Sequence, residues 1–194
     1  MDFLKDRRLV ELCRYWAAKR RGGALPGRGD VDPMELRALL PHLFLLDVVR
    51  YGGGGLAYRY RLIGTALAEL SGRDLTGETV SQEHYGADVD WILDTLGEVA
   101  RTSTPVAQRR DMAWTGHRGR RVEIAFLPLA SDGHTVNMIL GGMVRTAETR
   151  RASGPQGALA AGVESLDIPW APSPPPRDRL DGSPAAWSRW PLTS

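Results

Sequence analysis

Four histidines, one cysteine and a few strand carboxylates are the residues with which this chain could do chemistry. His42, His84, His117 and His134 are spread through the sequence. No G-x-S-x-G elbow, H-E-x-x-H motif or pair of C-x-x-C motifs gathers them into a catalytic or metal-binding set. Cys13 with a distant histidine is the one thiol nucleophile pair on offer. It falls on an apolar helical stripe, where a buried and inert thiol is expected. A lone cysteine also excludes an intrachain disulfide and a four-cysteine metal site. Glu123 and Asp111 could do general acid–base work, but strand carboxylates beside arginines usually form surface ion pairs. Arg61 and Arg109 could clamp a carboxylate or phosphate with their planar forks, and both read first as outward strand residues. Asp30 and Asp32 resemble a metal-binding acidic pair. Asp32-Pro33-Met34-Glu35 is better explained as a helix N-cap, a proline at the first helical position and a glutamate three residues after the cap. The glycine run 52–55 lacks the lysine and hydroxyl residue of a phosphate loop and joins two strands. No catalytic constellation and no metal site emerges, so the chain is expected not to be an enzyme.

The elements that would position these residues turn on the stretch 58–77, YRYRLIGTALAELSGRDLTG. Tyr58, Tyr60 and Leu62 alternate with Arg59, Arg61 and Ile63, the period of a half-buried strand. Gly64 ends the strand, Thr65 can cap a short helix, and Leu67 and Leu70 give that helix one apolar side. Gly72 can close it in a left-handed turn. Upstream, Leu9, Leu12, Cys13 and Trp16 recur at helical spacing and predict a helix over 5–21, stopped by Gly22-Gly23. A second helix is expected over 32–40, with Leu36, Leu39 and Leu40 on its buried side and Pro41 at its end. The nearly all-apolar run 43–50 predicts a strand covered on both faces. After a polar, irregular segment at 78–86, a helix is expected over 87–102, with Asp90, Asp94 and Glu98 on its solvated side. Strands follow over 106–114, 121–129 and 136–144, joined by a turn at 115–119 and the Ser131-Asp132-Gly133-His134 turn. Val122, Ile124 and Phe126 are expected inward and Glu123 outward.

Four segments in this order, PHLFLLDV (41–48), YRYRLIGTAL (58–67), LSGRDLTG (70–77) and FLPLASDGHTVNMILGG (126–142), resemble a bacterial family of stand-alone PAS-like proteins. The similarity spans about residues 9–144. It implies an α+β fold: a five-stranded antiparallel sheet with short helices on one face and an N-terminal flanking helix. It also implies a small-molecule pocket between sheet and helices. Its walls would be Tyr58, Tyr60, Leu62, Leu67, Leu70, Leu75, Ile124, Phe126, Met138 and Leu140, each of which also fits a filled core. Tyr58 and Tyr60 stand out because a buried hydroxyl needs a partner. A heme-binding PAS domain would take a histidine near the position of His84, whose SQEHYG surroundings are polar. A flavin light sensor would need a cysteine by the pocket, and Cys13 lies on the N-terminal helix instead. The flanking helix often lies at a dimer interface in PAS proteins, so Leu9, Leu12 and Trp16 are expected either to pair two copies or to cover the chain's own sheet.

The chain has 194 residues, 42% hydrophobic and 25% charged, enough for one buried core without disulfides. A net charge of +2 is too mild for a committed nucleic-acid binder. The N-terminal MDFLKDRRLVEL lacks the apolar core of a secretory signal, and no apolar run is long enough to span a membrane, so a cytoplasmic location is the expectation. Three regions follow: a helical flank at 1–40, a PAS-like domain at 41–146 and a Pro/Gly-rich, low-order tail at 147–194. A short helix over 158–166 is the one element expected in the tail. Trp170, Trp187 and Trp190 either pack loosely on the domain or anchor a partner-binding segment or lid. The expected function is a non-catalytic sensory or regulatory module that binds a small ligand or a protein and signals through a separate output protein. The alternative is a constitutive interaction scaffold with a filled core. Cavity volume separates the two.

Overall fold

In the computed structural model the chain is described over residues 4–112, 120–146 and 163–165. The apolar run of β1 (Leu43–Arg50) sits inside the sheet, paired with β2 (Leu56–Ile63) on one side and β5 (Met138–Arg145) on the other. β4 (Arg120–Leu129) joins β5, and β3 (Val106–Met112) joins β4. Every pairing is antiparallel, in the order β2-β1-β5-β4-β3-β6. The expected five-stranded antiparallel sheet is therefore present. A sixth, three-residue strand, β6 (Val163–Ser165), pairs with β3 where the tail was expected to be helical. The PSPPP run, the three tail tryptophans, His117 and the turn at 115–119 lie outside the described residues.

Both faces of the sheet are covered. One carries α2 (Thr65–Ser71), α3 (Gln82–Tyr85) and α4 (Val89–Thr102). The other carries α1 (Arg7–Ala18), which Asp6 caps by accepting the Arg8 N–H. Leu9 and Leu12 face Gly142 of β5, where a Cβ would meet their methyls. Trp16 is buried and its indole N–H donates to the Pro128 carbonyl at 2.8 Å. The stripe of Leu9, Leu12 and Trp16, expected to serve a dimer or the chain's own sheet, thus lies within the core of its own chain, at 0–1% exposure. Polar substitutions there would break the domain's core.

Cys13 shares that interior, and burial pushes its thiol up to about 12. Nucleophilicity belongs to the thiolate. At neutral pH, Cys13 should therefore resist iodoacetamide in the native protein and react once the chain is unfolded; fast native labelling would contradict this packing.

Further expectations change, among them the irregular segment at 78–86, which carries α3. Residues 32–40 form no α-helix: Leu36 N–H donates to Pro33 O, Leu39 N–H to Leu36 O, and the chain passes through turns into a 3-10 turn at Leu40–His42. Asp32 does accept the Met34 N–H, but Glu35 is drawn off to Lys19 at 2.6 Å, so no reciprocal cap forms. Glu123, expected outward, is fully buried beneath the start of α1, because helix as well as sheet covers that face. No helix among the described residues is long and apolar enough to cross a membrane.

Candidate ligand cavity

The cavity starts at the corner where β2 runs into α2. Gly64 donates its N–H to Leu43 O at 2.7 Å and offers its carbonyl to the Leu67 and Ala68 amides. This ties the start of α2 to the start of β1, where Leu67 and Phe44 line the same cavity. The Phe44 ring meets Tyr60 and Phe126 edge-on, at centroid distances of 6.4 and 5.8 Å. The segment after α2 runs back along β2: Gly77 and Val80 donate to Tyr60 O and Tyr58 O, and Tyr60 donates to Glu78 O. That return brings α3 over the sheet and places Tyr85 opposite Tyr60, hydroxyl to hydroxyl. Burial holds the Tyr60 hydroxyl well above the ordinary phenol range and pushes Tyr85 up to about 12, so both are neutral at physiological pH.

Phe44, Tyr60, Leu67, Tyr85, Trp91 and Phe126 enclose most of the cavity. Its volume is about 30 Å³, and a single water needs roughly 10–15 Å³ measured this way. The interior is thus close to filled. Trp91 lies under the Arg110 guanidinium, 4.1 Å from its ring centroid, and its buried indole N–H has no hydrogen-bond partner among the described residues. Beside it, Gln108 donates to Thr95 Oγ1 at 3.1 Å and Thr95 donates to Trp91 O, while Gln108 Oε1 is buried without a partner among the described residues. The wall is apolar, with a few polar atoms held at its edge.

Residues 4–144 match the family described as PAS domain. The chain belongs to that family. The PAS domain from Bordetella pertussis BvgS is similar in structure, at 20% sequence identity and a TM-score of 0.46, covering 60% of this chain and 87% of that one. No curated protein matches the chain. Membership makes this PAS domain a sensory or regulatory module in general, a class that is generally non-catalytic.

Of the walls expected from the sequence, the PAS domain brings Tyr60, Leu67, Ile124 and Phe126 together around the cavity. Leu70 lines a separate groove beside it. Tyr58 and Leu75 are buried but do not line the cavity, and the Tyr58 hydroxyl has no hydrogen-bond partner among the described residues. Leu62 is 44% exposed. A bulge explains it: Leu46 pairs with Tyr60 but Leu45 with Leu62, so Arg61 is the extra residue and the strand changes phase. Ile63 takes the inward place instead and lines the cavity. Met138 and Leu140 pair with Leu129 and Leu127 and face α1, on the opposite side from Met143, which lines the cavity.

Phe44, Ile63, Tyr85, Trp91 and Met143 were not expected in the wall. Trp91 precedes Ile92 on the predicted α4 stripe, which was a usable signal. Tyr85 had none, sitting in a polar run. The arginines that could have served as clamps are committed elsewhere: the exposed Arg61 and Arg59 pair with Asp47, and Arg109 pairs with Glu123. His84, expected in an exposed loop, is on α3 with its side chain 6% exposed, between Ser81 Oγ and Glu78 Oε2. Both ring nitrogens are engaged and it does not line the cavity, so it does not fit a heme ligand. Asp30 accepts the Gly27 N–H within the 3-10 turn Arg28–Asp30 and caps no helix over 32–40. Among the described residues, no group of three or more His, Cys, Asp or Glu could hold a metal ion.

Proposed function

We propose that this chain is a non-catalytic bacterial regulatory module that holds a small ligand in the Tyr60–Tyr85 cavity and signals in the cytoplasm through a separate output protein. One observation carries the reading: an apolar cavity at the sheet–helix junction is closed by a buried hydroxyl pair and by a tryptophan whose N–H lacks a partner among the described residues. A buried donor without a partner costs free energy that a ligand acceptor would recover. At about 30 Å³ the cavity has to widen to admit an organic molecule. The wall element best suited to move is α3, one turn long and ended by Gly86 at φ 54°. Displacing Tyr85 would pass the event to the start of α4.

The small volume favours a second reading, a constitutive interaction scaffold that uses its surface. Native mass spectrometry of the purified protein, with thermal shifts across a metabolite panel, separates the two. The ligand reading expects a retained or stabilising compound that perturbs the resonances of Tyr60, Tyr85 and Trp91. An empty mass spectrum together with a flat thermal panel would leave the scaffold.

A further inference from the structure

A second concavity lies outside the interior, between α1, α2 and the end of β5, with a volume of about 320 Å³. Leu67 and Met143 form the partition between the two spaces, since they line both. Ala66 and Leu70 continue the apolar side. The other side is cationic, made by Arg8 and Arg145.

Arg8 is fixed in place. Its Nε and Nη2 donate to the Asp6 carboxylate at 3.0 and 2.8 Å, and its Nη1 approaches His42 Nε2 at 2.8 Å. Nε2 can accept from a guanidinium only as neutral imidazole, and burial and the Arg8 charge both lower the His42 pKa. Of the five guanidinium N–H donors, these contacts engage three. The remaining two, one on Nη1 and one on Nη2, make no contact among the described residues. Arg145 is exposed at the end of β5 and makes no ion pair among the described residues. Asp6 offsets one of the two arginines and His42 contributes no charge, so among the described residues the groove carries about one net positive charge beside an apolar wall.

We propose that this groove binds a small organic monocarboxylate with an apolar body. The carboxylate would lie between Arg8 and Arg145, and the body along Ala66, Leu67, Leu70 and Met143. A single uncompensated charge suits a monoanion better than a phosphate dianion, and the apolar wall would be idle under a bare inorganic ion. At roughly 10–15 Å³ per water on the same measure, the space has room for a carboxylate with an extended apolar body. The site does not depend on the interior cavity being a ligand pocket.

Octanoate is the probe. Titrated into the full chain at neutral pH, it should shift the amide resonances of Ala66, Leu70, Arg145 and Thr146, and leave Tyr60 and Tyr85 unmoved. Octanamide, the neutral isostere, should bind about tenfold more weakly, as should octanoate to Arg145→Gln. Arg145→Lys should retain most of the affinity. Because Arg145 is exposed, its variants should unfold at the wild-type midpoint. Any one of four results would overturn the proposal: no shifts at millimolar octanoate, equal binding of octanamide, unchanged affinity in Arg145→Gln, or inorganic phosphate binding as well as octanoate.

Discussion

Gly64→Ala is expected to destabilise the domain by about 3 kcal/mol, the upper end of what overpacking usually costs. The reason is contact and not conformation. Gly64 has φ −69° and ψ 152°, extended backbone open to any residue. A Cβ there would lie closer than 3.0 Å to Leu40 O, Pro41 O and the Pro41 carbonyl carbon. All three are backbone atoms and none can rotate away. Relief requires the Leu40–His42 turn to move from the β2–α2 corner, yet the same corner is tied by the Gly64 N–H to Leu43 O bond. Moving it would also lift Leu67 from Phe44 and loosen the cavity wall. Denaturant unfolding of wild type and variant reads the loss directly. A loss below about 1 kcal/mol would mean that the turn is softer than its packing implies.

The corner was legible because glycine between an alternating run and a helical pattern has few other uses, although Gly64 and not Thr65 takes the N-cap position, with no side-chain cap. β1 was legible for a similar reason: a run of LFLLDVV without alternation has to be covered on both faces, and it is. The cavity wall was only partly legible. Strand period assigns faces until a bulge inserts a residue, and nothing in YRYRLI announces that Arg61 is the extra one. Leu62 and Ile63 consequently exchange places. Faces also fail where a second layer covers the sheet. Met138 and Leu140 are as apolar as Met143, and only the register with β4 tells which side they take. The helix expected over 32–40 had good end signals but lost its glutamate to Lys19, a tertiary contact that local spacing does not encode. Tyr85 reaches the cavity because the chain doubles back along β2, a long-range event invisible in SQEHYG.

Glu123→Ala is expected to cost about 3 kcal/mol and to loosen α1 before it loosens the sheet. The sequence places this carboxylate on an outward face, available for acid–base work or a surface pair. In the fold it has no surface. Oε2 accepts the Lys5 and Asp6 amides at 3.0 and 2.9 Å, and Oε1 accepts Arg109 Nε and Nη2 at 3.1 and 2.8 Å. Removing one partner of a buried ion pair typically costs 3–5 kcal/mol. The lower end applies, because the Arg109 side chain is 26% exposed and water can screen its charge. The two amides are the more local loss. They bring Asp6 into position to cap α1, so freeing them unfastens the first turn of the helix that covers this face. Hydrogen exchange should show α1 amides losing protection ahead of β4 and β5 in Glu123→Ala. Glu123→Gln keeps one carbonyl oxygen but sets an NH2 group against donors on one side, so it should fall between alanine and wild type. Uniform loss of protection across helix and sheet, or a cost below about 1 kcal/mol, would show that α1 is held by Leu9, Leu12 and Trp16 alone and that the carboxylate is dispensable to the fold.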